Sequence, residues 1–283
     1  MKLTESKMHR DKEHLPFLDG IRGIAILSVF LFHSLGTSFG FDKLPWAGLF
    51  RDFDTSGSFL ALYPLTYGHA GVAVFFVVSG FCIHLSHQRS RDKGWACFFN
   101  RRFFRIYPPY LVATCVFFFI WPWGSPDPEG FSPLAQLGSH LFAVHNLHES
   151  GFFGINPSFW SVAVEIQLYA IYPLLVLLTI RLGWRKSLIL AGFLEIFIRS
   201  ASSAYGVFYE TPLPRIITSS PFAYWFSWSL GAYLADCYLT GKRSRLLSGS
   251  FCNRRGRFFS TPAIQADGPL YVSFVFLADR HRH

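Results

Sequence analysis

Arg22 and His33 stand eleven positions apart in the first apolar stretch of the chain. On an α-helix that spacing is about 1,100°, three turns plus roughly 20°, so both side chains fall on one face with their Cα atoms about 16 Å apart along the axis. An ionisable group inside a hydrophobic segment is costly unless it is paired or wetted, which makes each a functional candidate. Singly, Arg22 also reads as an arginine snorkelling from a helix end, and His33 as a hydrogen-bonded packing histidine. Together on one stripe they read as a cation and a base. An unperturbed imidazole titrates near 6.5, which suits His33 to drawing a proton from a hydroxyl.

Glu165 follows Phe159-Trp160-Ser161 by about a turn, roughly 9 Å inside the end of the fourth apolar block. That depth is expected to match His33, and a carboxylate beside an imidazole fixes its tautomer and stabilises its protonated form. The competing reading is a glutamate bonded across helices to hold the bundle. Arg102 and Arg105, three apart in Phe98-Phe-Asn-Arg-Arg-Phe-Phe-Arg-Ile-Tyr-Pro-Pro-Tyr110, share a face if that stretch is helical. They are then able to grip phosphate, or to anchor the chain to anionic lipid. Ser79-Gly80-Phe81 lets backbone come close to an acyl chain or to a neighbouring helix.

Other ionisable groups point to structure. Glu195 and Arg199, four apart, are expected to neutralise each other, and Asp236 to form an interfacial ion pair near Lys242 and Arg243. His140, His145 and His148 fall in a Pro- and Gly-rich stretch with no accompanying carboxylate or cysteine ligand pattern, which reads as a solvated loop and not as a metal site.

Six apolar blocks must position these groups, at about 17–35, 68–85, 106–123, 159–180, 187–205 and 221–239. They are expected to be helices, because inside lipid every backbone donor and acceptor needs a partner and the blocks lack the alternation of a barrel strand. Connections on one side of the membrane (1–16, 87–105, 181–186 and 241–257) hold nineteen Lys and Arg; those on the other (37–67, 124–156 and 206–220) hold three. The basic side is therefore expected to be cytoplasmic, with the amino terminus on it.

Composition agrees. Of 283 residues 51% are hydrophobic and 15% charged, against about a quarter charged in soluble domains. The net charge of +9 sits between apolar blocks and forms no nucleic-acid module. Cys82, Cys97, Cys115, Cys237 and Cys252 are scattered, suggesting neither disulfides nor zinc. No cleavage site closes the first block, so it reads as a span and not as a cleaved signal. The expected organisation is a cytoplasmic segment (1–16), an all-α polytopic bundle of about six spans (17–240), and a basic, poorly ordered tail (241–283).

In order, the segments resemble the integral-membrane acyltransferase family 3. Leu18-Asp-Gly-Ile-Arg-Gly-Ile-Ala-Ile-Leu-Ser-Val-Phe-Leu-Phe-His33 has its Arg-x10-His spacing. Gly71-Val-Ala-Val-Phe-Phe-Val-Val-Ser-Gly-Phe81 is similar to its Gly-Val-x-x-Phe-Phe-x-x-Ser-Gly-Phe block. Arg101-Arg-Phe-Phe-Arg-Ile-Tyr-Pro-Pro-Tyr110 resembles its Arg-x-x-Arg motif, and Phe159-Trp-Ser-Val-Ala-Val-Glu165 its Trp-Ser-x-x-x-Glu motif. The likeness covers about residues 15–240. The family fold has about ten spans of about 20 residues each, so a shortened version is expected here.

The resemblance implies a membrane O-acyltransferase with acyl-CoA, acetyl-CoA in the simplest case, as donor and a hydroxyl of a cell-surface carbohydrate or similar molecule as acceptor. It implies His33 as the essential base, Arg22 supporting it or the donor, and Arg102 and Arg105 serving the cytoplasmic face of an inner membrane. No permanently bound cofactor, metal or nucleic acid is expected. The alternatives are a transporter or channel with a buried Arg/His/Glu relay, or a non-catalytic remnant.

Overall fold

The computed structural model describes residues 15–40, 59–120, 131–211 and 213–241. The amino-terminal segment up to residue 14, most of the connection 37–67, residues 121–130 and the basic tail from 242, Cys252 included, lie outside the described residues.

The chain is all-α. Helix α1 (Pro16–Phe39) opens on a proline, whose missing N–H would have been an unsatisfied first-turn donor anyway, and stops at Gly40 with φ 97°. A 3-10 turn, Tyr63–Ala70, runs into α2 (Gly71–Arg89). Then follow α3 (Trp95–Ile120), α4 (Pro133–Leu141), α5 (Phe159–Ala170), α6 (Tyr172–Tyr209) and α7 (Trp225–Thr240).

All six apolar blocks are helical where they are described. Pro16–Phe39, Tyr63–Arg89 and Trp95–Ile120 are each long and apolar enough to cross a membrane. The pair α5 and α6 passes the same test together, bent by 46° at Ile171, inside the block read as one fourth span. The turn expected at 181–186 is a kink at Gly183, with φ 75° and ψ 164°, a left-handed conformation that favours glycine. The sixth block is the 16-residue α7 with the 3-10 turn Pro221–Tyr224 before it.

Helix α3 starts at Trp95, well before the boundary at Ile106 that hydropathy gave, and carries Arg101, Arg102 and Arg105 as helical residues. Hydropathy stops at the first cluster of charge, whereas a helix continues wherever those charges find partners or water.

Helix α2 lies at the centre, against α1 on one side and α7 on another. The contact with α7 is backbone to backbone. A Cβ added at Gly80 would overlap the Trp228 carbonyl, and one at Gly231 the Val77 carbonyl. Phe76, Ile83, Val164, Leu168, Tyr172 and Trp228 form the main buried core between α2, α5, α6 and α7. Large apolar side chains also cover the outward faces, among them Ile24, Phe30, Val112, Phe119 and Phe193. Such faces fit hydrocarbon and not water.

The Glu195–Arg199 pair has the expected geometry and does more than neutralise itself. Arg199 Nη2 donates to Glu195 Oε1 at 3.1 Å, while Oε2 accepts from the backbone N–H groups of Phe226 and Ser227 at 3.0 and 3.3 Å. Glu195 thus caps the first turn of α7 from a different helix, placing a carboxylate at its positive end.

Candidate active site

At the basic end, a cavity of about 580 Å³ opens between α1, α2 and α3. Arg22, Arg89, Arg101 and Arg105 line it, with Cys82 and Ser86 on the α2 wall and Asp19 as the one acidic lining residue among the described residues. Arg22 Nη1 donates to Asp19 Oδ1 at 3.1 Å and Nη2 to Cys82 Sγ at 3.0 Å. Four guanidinium groups against one carboxylate leave the space net positive, the chemistry that binds phosphate.

Arg102 and Arg105 part ways. Arg105 is exposed at the cavity, whereas Arg102 is 7% exposed, lies over the Phe98 ring and donates from Nη2 to Ser86 Oγ at 2.6 Å. Arg102 therefore belongs to the wall and reaches the cavity only through Ser86. Arg89 and Arg101, which the sequence offered only as topological charges, take part in the lining instead.

Deeper in, Ser79 and Glu165 meet. Ser79 Oγ donates to Glu165 Oε1 at 2.7 Å, the Tyr169 hydroxyl donates to the same oxygen, and Trp228 Nε1 points at Ser79 Oγ from 3.4 Å. Tyr169 stands one turn beyond Glu165, an i,i+4 spacing that was legible but carried no ionisable flag. Gly80, next to Ser79, packs on the Trp228 backbone, so its close approach is to a helix and not to an acyl chain.

His33 is partly buried near the far end of α1, its ring edge-on to Phe32 at 5.5 Å. Gly68 faces Ser28 and Phe32, and Gly71 faces Ala25 and Val29, so His33 lies level with the 3-10 turn that precedes α2. Ser79 is eight residues, about 12 Å, further along α2 toward the basic end. Arg22 and His33 both lie on partly buried positions of α1, as the spacing required. The structure joins Glu165 to Ser79 and Tyr169, and no hydrogen bond or ion pair joins it to His33. Helices that cross do not keep equal depth at equal distances from their ends, so the depth match read along the sequence does not become a contact.

Three further polar groups went unread in the sequence or were read differently. Asp236 Oδ1 lies 3.9 Å from Nε2 of the buried His84, whose Nδ1 meets the Tyr172 hydroxyl at 3.0 Å; Lys242 and Arg243, its expected partners, lie outside the described residues. His140 and His145 are not solvated: both are fully buried, with rings stacked at 3.8 Å and 6°. Burial pushes His140 down to about 4, and burial with the neighbouring imidazole pushes His145 down to about 3. The loop reading failed there because Asn146 and Gln167, bonded to each other, tie this segment to α5. Among the described residues no three His, Cys, Asp or Glu side chains gather in a way that would hold a metal ion.

This arrangement defines an apolar helical bundle with a cationic cavity at one end and an imidazole toward the other. Residues 15–252 match the model of the acyltransferase domain family, and the chain belongs to that family. It is 32% identical over 164 residues to the acyltransferase MdmB of Streptomyces mycarofaciens, covering 56% of this chain and 38% of that protein. It is 25% identical over 175 residues to the O-acetyltransferase OatA of Staphylococcus aureus, covering 58% and 25%. To the peptidoglycan O-acetyltransferase OatA of Listeria monocytogenes it is 24% identical over 190 residues, covering 62% and 26%. The aligned region is thus well under half the length of these relatives. No solved structure matches the chain.

Proposed function

We propose that the protein is an inner-membrane O-acyltransferase that moves an acyl group, acetyl in the simplest case, from acyl-CoA in the cytoplasm to a hydroxyl of a carbohydrate acceptor on the other side. The observation that carries this reading is the cavity lined by Arg22, Arg89, Arg101 and Arg105, because Arg22 also begins the helix face that ends at His33. The phosphates of the donor lie against the arginines and its pantetheine arm runs up the α1–α2 seam. His33 takes the proton of the acceptor hydroxyl as the oxygen attacks the thioester carbonyl. The carbon–sulfur bond breaks, the ester forms, and the proton passes to the departing thiolate.

Glu165 supports this chemistry from mid-depth, holding Ser79 and Tyr169 beside the acyl path. The nineteen-to-three distribution of Lys and Arg supports the basic end as the cytoplasmic one. The relatives named as O-acetyltransferases support acetyl and a wall-type hydroxyl acceptor.

Labelled acetyl-CoA turnover by protein reconstituted in sealed liposomes, with soluble carbohydrate acceptors enclosed on the face opposite the donor, tests the proposal. His33→Ala is expected to abolish transfer without removing the protein from the membrane. Full transfer by that variant refutes the assignment.

A further inference from the structure

The reaction proposed above needs something to hold the acceptor beside His33, and the 3-10 turn Tyr63–Ala70 supplies groups of the right kind. His69 Nδ1 lies 3.2 Å from the Thr66 carbonyl oxygen. A carbonyl only accepts, so Nδ1 carries the proton, and in the neutral ring Nε2 is left with its lone pair. Nε2 has no hydrogen-bond partner among the described residues, and the imidazole is only partly buried.

That nitrogen sits close to the base. The Phe32 ring has His33 on one side at 5.5 Å and His69 on another at 5.4 Å, so the two imidazoles are no more than about 11 Å apart, the sum of those spacings. Tyr67, 47% exposed, places its ring 6.4 Å from that of His69 and edge-on to Tyr63 at 5.8 Å. The turn is seated firmly, because Gly68 is pressed against the Ser28 carbonyl of α1. A fixed acceptor nitrogen, two phenol rings and a nearby base together match a polyhydroxylated ring: aromatic faces cover its C–H surface while a few placed polar atoms choose its orientation.

We propose that His69 binds the acceptor, accepting at Nε2 a hydrogen bond from a sugar hydroxyl next to the one that is acylated, with Tyr63 and Tyr67 as the wall of that subsite. The inference rests on the acyl-transfer reading and adds to it the residues that select the acceptor.

Two variants separate this role from a structural one. His69→Asn keeps a donor where Nδ1 stands, for Thr66, and loses the acceptor at Nε2; His69→Gln keeps an acceptor near the Nε2 position. Acetyl transfer is measured to a soluble N-acetylglucosamine–N-acetylmuramic acid disaccharide, to cellobiose and to maltose. Direct binding of the same three sugars to protein in nanodiscs is measured without any acyl donor. His69→Asn is expected to raise the KM for the acceptor and the Kd for the sugar about tenfold, the equilibrium value of one hydrogen bond, with no matching rise in the donor KM. His69→Gln is expected to recover part of the loss. Equal sugar binding by wild type and His69→Asn, or no saturable binding of any of the three sugars by wild type, overturns the proposal. Sugar binding that depends on His69 in a protein that never transfers an acyl group would fault the acyl-transfer reading and leave this subsite standing.

Discussion

Ser79 and Glu165, 86 residues apart in sequence, share a hydrogen bond of 2.7 Å between α2 and α5, and Tyr169 donates to the same carboxylate oxygen. A partly buried carboxylate oxygen that accepts two hydroxyl donors is held in place, and loss of either donor is felt through the other. Ser79→Ala and Tyr169→Phe are each expected to destabilise the bundle by about 1–3 kcal/mol. The double variant is expected to deviate from additivity by at least about 0.5 kcal/mol. Thermal unfolding of the four proteins in one detergent measures the cycle, and strict additivity would show that the two hydroxyls act independently.

Arg102 and Arg105 are expected to separate into a stability residue and a binding residue. Arg102→Met takes a charged donor from Ser86 and should lower stability by about 1–3 kcal/mol. Arg105→Ala, at an exposed position, should stay within about 0.5 kcal/mol of wild type while weakening acetyl-CoA binding about tenfold. Equilibrium binding and unfolding on the same samples decide between this and the pairwise grip that the three-residue spacing suggested.

The α2–α7 contact should not tolerate a methyl group. Gly80→Ala or Gly231→Ala drives a Cβ into a facing carbonyl, and rigid backbone on both sides leaves separation of the helices as the only relief. A loss of at least about 1–3 kcal/mol, the usual cost of overpacking, is expected for each. A disulfide or crosslinking ruler across α2 and α7 would record the separation; unchanged spacing and stability would contradict it.

The stacked His140–His145 pair predicts an acid-sensitive segment. Both rings stay neutral in the folded chain down to about pH 4 and 3, whereas a released imidazole protonates near 6.5. The opened form therefore takes up protons first. Packing of residues 131–158 should be independent of pH above about 7 and weaken as pH falls from 6.5, by about 1.4 kcal/mol per unit for each histidine, levelling off once the folded values are passed. Hydrogen exchange of that segment from pH 7.5 to 4 checks the slope, and His145→Phe should remove about half of it.

Helices and their approximate limits were legible because lipid leaves the backbone no other way to satisfy itself, so an apolar block of sufficient length is already a structural statement. The face shared by Arg22 and His33, and the pairing of Glu195 with Arg199, were legible for a similar reason: both are relations within one helix, fixed by its pitch. The bend at Ile171 carried a signal in Pro173, which lacks an N–H for the ladder and so starts a new helix, but hydropathy runs unbroken across it and reads one span.

Relations between helices belonged to the tertiary structure alone. Crossing geometry took Glu165 to Ser79 and Tyr169, sent Arg102 into a wall while Arg105 stayed at the cavity, and buried two histidines in a stretch that reads as loop. Sequence spacing measures distance along one axis, and side chains on different helices meet only where packing of the small residues between them, here Gly68, Gly71, Gly80 and Gly231, sets the angle at which the axes cross.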